Sequence, residues 1–367
     1  MTTSPVAADN RVPALDGLRG LASLALFNLA FLSNYVEVGF YVPDGAGLPG
    51  RLAAKALLAG VYTGVVAMDL LFILSGYLLY KALLTTTERP LAMLWRRYRR
   101  FLPLYLMVSI PAFVYSGAGL RDIVGHVALL DLYNFGAFVY QISSQANYYL
   151  YFAFVCVALA AAGVRRSLLA RPLFPVALGA CFGLGIAFCG APGTLNFHFL
   201  GFFYGAAVAA LSVGRTPQAC ARLRRMPARI ALALLLAALA WWLWRTRQDE
   251  FIPLLVRVDW RTLLLLTGVQ ILGSLLLWSL AGAAPGAPGG LQLPACLLGR
   301  ASLSFFLGWS LYGLVLGRSV HVFARQTPWT LLFLYAATLA ASLLLAWFFF
   351  RFFERFPQPA QPRQGER

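Results

Sequence analysis

Two carboxylates and several arginines stand where an otherwise oily chain should tolerate neither. Asp16 and Arg19 open the apolar stretch VPALDGLRGLASLALFNLAFL (12–32). Three residues apart on a helix, they share one face and can pair. Asp69 lies inside VVAMDLLFILSGYLLYK (65–81), with Ser75 and Gly76 one to two turns later. A lone carboxylate at such a depth needs a cation or a hydrogen-bond donor, and Arg19 from a neighbouring helix is the expected partner. Ser75-Gly76 reads equally as a small-residue packing patch. LWRRYRRFLPLY (94–105) pairs Arg96 with Arg99 and Arg97 with Arg100, each pair along one helical face. Arginine forks grip phosphates bidentately. A ligand with several phosphates, such as coenzyme A, or anionic lipid headgroups would suit them; a plain topology signal accounts for them as well. In FFFRFFERFPQ (348–358), Glu354 sits between Arg351 and Arg355, which reads as a local salt bridge at an interface.

The elements that must position these groups are membrane helices. Of the 367 residues 60% are hydrophobic and only 12% charged, about half the charge of a soluble chain. Apolar stretches near 18–38, 56–84, 101–118, 147–163, 173–190, 198–212, 230–244, 263–283, 301–320 and 330–350 predict ten spans. The segment 120–142, broken by Asp and Asn, reads as interfacial or re-entrant. The expected fold is therefore an all-α integral membrane protein, a single bundle of about ten transmembrane helices filling 1–356. A disordered cytoplasmic tail follows at 357–367. The N-terminus reads as a brief polar tail and not a cleavable signal. The Pro/Gly-rich 281–294 reads as a flexible connector.

The net charge of +17 does not mark a nucleic-acid binder, because the arginines fall in short loops between apolar segments. With a cytoplasmic N-terminus, 20 of the 30 Lys and Arg fall on the inner side, nine on the outer, and Lys81 within a span. That asymmetry places both termini in the cytoplasm. The five cysteines have no paired spacing and read as small buried hydrophobes. No His/Cys/carboxylate set has metal-ligand spacing, so no metal is expected. An unrelated transporter is disfavoured, because the intramembrane charges cluster in the first two spans and no symmetric pair of broken helices is visible.

The motifs LDGLRGLA, MDLLFILSGYLL, RRYRRFLPLY, FLGFFYGAAVA, LGRASLSFFLGW and FRFFERFP, in this order, resemble the transmembrane acyltransferase family often called acyltransferase-3. Its members O-acylate surface polysaccharides, lipopolysaccharide, Nod-factor oligosaccharides and antibiotics. The resemblance implies a ten-helix bundle in a bacterial inner membrane, with an acyl donor such as acetyl-CoA entering as co-substrate from the cytoplasm. It sets Arg19 in the substrate channel and matches Arg97 and Arg100 to an arginine pair needed for activity. Asp69, Ser75 and Gly76 match a motif of the second span, and Glu354 a C-terminal glutamate. Asp16, Arg19 and Asp69 are thus the catalytic candidates.

The same resemblance exposes a gap. The family usually carries a histidine eleven residues after the motif arginine, within roughly 20° of the same helical face and about 16 Å deeper. There it would serve as general base. Here that position is Ala30, and Asn28 and Asn34 offer no base. Trp309 stands where the family tends to have a second histidine, and SSQANYYLY lacks the carboxylate that many members carry before the fourth span. Of the remaining histidines His126, His198 and His321, His198 is the best substitute base. Two functions follow as expectations. One is transfer of a small acyl group to a hydroxyl of a carbohydrate or lipid-linked glycan, alongside membrane lipid and the glycan biosynthesis machinery. The other is a catalytically inactive relative acting in glycan or lipid assembly or export.

Overall fold

The structure is a computed structural model and describes residues 12–36, 48–86, 88–116, 153–188, 200–213, 230, 234, 260–281, 292–309 and 328–354. Every regular element among the described residues is a helix. They are α1 (Pro13–Val36), α2 (Leu48–Thr85), α3 (Pro90–Ser116), α4 (153–161), α5 (Arg166–Leu169), α6 (Leu173–Phe188), α7 (Leu200–Ser212), α8 (Trp260–Leu280), α9 (Leu293–Arg300), α10 (302–309) and α11 (Pro328–Phe349). A π-turn at Phe350–Glu354 continues α11. Two stretches, Thr63–Thr85 and Leu332–Phe352, are both long and apolar enough to cross a bilayer; Leu173–Leu184, Leu200–Ser212 and Leu266–Leu280 are shorter apolar helices. The expected span at 230–244, the segment 120–142, the tail 357–367 and His126, His198 and His321 lie outside the described residues.

Three boundaries differ from the hydropathy reading, each for a local reason. α2 runs over 38 residues, about 57 Å at 1.5 Å per residue, so it outreaches the roughly 30 Å hydrocarbon core. α3 begins at Pro90 rather than near 101. Proline is favoured in the first turn of a helix because its missing N–H is not needed there, so the arginines of 96–100 lie inside α3. The helix expected at 301–320 is preceded by a separate short one, α9, which takes in the end of the segment read as a connector. α9 ends at a cap on Ala301, and α10 starts on the next residue.

The core forms where α1, α2, α7 and α9 cross. Glycines make these crossings close: a Cβ at Gly76 would overlap the Phe202 carbonyl, and one at Gly205 the Ile73 carbonyl. Small-residue crossings of this kind are how membrane helices associate, since lipid is as apolar as leucine. Tyr77, Tyr80, Phe202, Phe203, Ile73 and Leu74 are fully buried around the contact. By contrast Leu332, Phe333, Leu344 and Trp347 on α11 are exposed, the face suited to acyl chains. A second cluster of Leu104, Tyr105, Leu307 and Phe349 ties α3 to α10 and α11.

Candidate functional site

The opening motif is organised by a crossing with α9, and its ion pair is not the expected one. Asp16 does not pair along its own helix with Arg19; Arg300 of α9 meets it, Nε to Oδ2 at 3.5 Å. The reason is backbone proximity. A Cβ at Gly20 would overlap the Ala295 carbonyl, and one at Gly299 the Asp16 carbonyl. The Cys296 thiol donates to the Pro13 carbonyl at 3.2 Å. The glycines of LDGLRG and LGR therefore let two backbones touch, which brings Arg300 to the start of α1. Arg19 is half-buried one turn on, and its carbonyl accepts the Ser23 hydroxyl at 2.8 Å.

Asp69 is completely buried, and no other carboxylate or cation among the described residues is. A neutral amide is among its partners: Gln270 Nε2 of α8 donates to Oδ1 at 2.9 Å. Gly76, read as either motif or packing, is packing against α7, while Ser75 remains half-buried.

The Thr85 end of α2 is ringed with basic groups. Arg166 donates from one nitrogen to the carbonyls of Leu84 at 2.7 Å and Thr86 at 2.9 Å, capping groups that the helix leaves unsatisfied. It is aimed there by Gly163, which ends α4 at φ 84°. The Gly163 N–H donates to Ala160 O and that of Val164 to Leu159 O, the paired bonds of a glycine-terminated helix. Arg97 makes a long contact to Leu78 O at 3.5 Å. Lys81 lies 5.5 Å from the Tyr77 ring centroid and donates to its hydroxyl. Arg96 pairs with Glu88, and Arg99 is exposed. Arg100 belongs to the same helix and Glu354 closes the π-turn; their side chains lie outside the described set.

Around the deeper part of α1, aromatic rings fill the space. Phe27 packs on Phe31, Phe305, Trp309 and Tyr335, and the Tyr335 hydroxyl donates to Asn28 Oδ1 at 2.6 Å. Trp309 is buried edge-on between Phe27 and Phe306.

The family model for an acyltransferase domain matches residues 12–347. The chain belongs to the acyltransferase-3 family. This is a family of membrane acyltransferases, and its model takes in every helix described above except the last residues of α11 and the π-turn. Comparisons with curated proteins and with solved structures find no match. Set against the sequence reading, the acyltransferase-3 chain adds Gln270, Arg300 and Arg166. Gln270 carried a signal, a polar side chain amid LLLLTGVQILGS. Arg300 lay within the motif LGRASLSFFLGW but, like Arg166, read as topology, since a basic residue at a helix end does so.

Proposed function

We propose that this membrane acyltransferase moves a small acyl group, acetyl from acetyl-CoA, onto a hydroxyl of a carbohydrate or lipid-linked glycan. It does so in a bacterial inner membrane, with the Thr85 end of α2 facing the cytoplasm and glycan synthesis machinery supplying the acceptor. The observation that carries the reading is that α2 bears both a buried carboxylate and, further along, a basic rim. Leu78, reached by Arg97, is nine residues beyond Asp69, and Leu84, reached by Arg166, is fifteen. At 1.5 Å per residue these are about 14 and 22 Å, a span comparable to the extended pantetheine arm of coenzyme A. Arg97 and Arg100 would hold the nucleotide phosphates while the thioester reaches toward Asp69 and Arg19. The acceptor oxygen then bonds to the acyl carbon as its proton passes to the Asp69 carboxylate. The carbon–sulfur bond breaks, and the departing thiolate takes that proton up. Asp69 thereby fills the role left open by Ala30.

Calorimetric binding of acetyl-CoA and of acetyl-pantetheine to wild type and Arg97→Ala tests this. One charge-assisted contact is worth about 1.5–3 kcal/mol, so acetyl-CoA should bind the variant roughly 10- to 100-fold more weakly, with acetyl-pantetheine unaffected. No binding to wild type, or equal loss for both ligands, refutes it.

The packed rings of Phe27, Phe305, Trp309 and Tyr335 favour a second reading, an inactive relative in glycan or lipid assembly or export, because they occupy space near the expected histidines with apolar surface. Ala30→His discriminates: acetyl transfer in that variant alone makes the native chain a pseudoenzyme.

A further inference from the structure

We infer that Gln270 is a positioning residue for Asp69, holding the carboxylate in the orientation that acyl transfer uses; this rests on the acyltransferase reading above. Gln270 and Asp69 are 1% and 0% exposed, joined at 2.9 Å across two helices that are 201 residues apart in the chain. A polar side chain in an apolar span is costly, and a leucine in its place would fill the room without that cost. Three helices close on the contact. A Cβ at Gly273, one turn beyond Gln270, would press on Leu70 and Ile73 of α2, and one at Gly201 of α7 would lie 3.2 Å from the Asp69 carbonyl. These close approaches limit the freedom of the Asp69 backbone and of α8 together, so the Nε2-to-Oδ1 geometry is set by the fold and not by a mobile side chain.

The choice of amide matters chemically. An arginine or lysine here would bring a charge of its own, whereas the Gln270 carboxamide donates its hydrogen bond without adding one. The Gln270 bond to Oδ1 fixes the plane of the carboxylate, and with it the direction of both oxygens. A fixed acceptor oxygen is what a transfer step between positioned groups needs, since misplacement by about 1 Å costs roughly 100-fold in rate.

The test uses the purified full-length protein in lipid nanodiscs, with acetyl-CoA as donor. Gln270→Met removes the donor at nearly constant volume. It is expected to lower kcat by roughly 100-fold while leaving the KM for acetyl-CoA within about twofold of wild type. Asp69→Asn/Gln270→Glu exchanges the two polarities and keeps one carboxylate–carboxamide hydrogen bond. It should recover the thermal midpoint of wild type but not its turnover. Unchanged kcat in Gln270→Met, or restored turnover in the exchange variant, overturns the proposal while the acyltransferase reading stands. A wild-type protein that binds no acetyl-CoA and transfers nothing refutes that reading itself, and with it the positioning role.

Discussion

Exchanging the charges of Asp16 and Arg300 probes the α1–α9 crossing most directly. At 3.5 Å, Coulomb attraction is about 5 kcal/mol for an effective dielectric constant of 20 and about 1 kcal/mol for that of water. The side chains are 15% and 33% exposed, so the pair sits between these limits, and desolvation offsets part of the gain. A net coupling of about 1–2 kcal/mol follows. Arg300→Ala alone should cost about 2 kcal/mol, because Asp16 then remains mostly buried beside Gly299 without its Arg300 partner. Asp16→Arg/Arg300→Asp should regain at least half of the summed single-variant losses. The assay is a double-mutant cycle on reversible denaturant unfolding in detergent, repeated at high salt, where screening shrinks the coupling. Single effects that add to within about 0.3 kcal/mol would refute the ion pair as the element that fixes α9 on α1.

Two further expectations concern α2. Gly76→Leu should destabilise by about 3 kcal/mol, the upper end of overpacking costs, because its side chain collides with the Phe202 backbone, which cannot rotate away; Ser75→Ala should stay within about 0.5 kcal/mol, and the same unfolding assay separates them. Arg166→Ala should cost about 1–2 kcal/mol through two lost bonds to the α2 carboxyl end, with Arg166→Lys recovering only part; faster amide hydrogen exchange over 80–86 would report it, and unchanged exchange would sink it.

The membrane class, the approximate position of most described helices and the family were legible in the chain because each rests on local properties. Hydrophobic runs set the helices; the start of α3 at Pro90 did not follow from them, because the arginines of 96–100 interrupt the apolar run. Asp69 was legible as a residue that must be satisfied, because oil makes an isolated carboxylate costly wherever it sits. Gln270, one of the groups that meet it, was not legible, because it lies 201 residues away in the chain. Asp16 was assigned a neighbour three residues off for the same reason, since only spacing along one helix is visible in a linear chain.

Sequence alone thus determined which groups the bilayer forces into partnership and along which helices they lie. Tertiary structure decided who the partners are. The glycines at 20, 76, 205 and 299 permit backbone contact, but whether they meet α2, α7 or α9 depends on how all the helices share buried surface at once. Pairing is a property of that joint packing, and no single segment contains it.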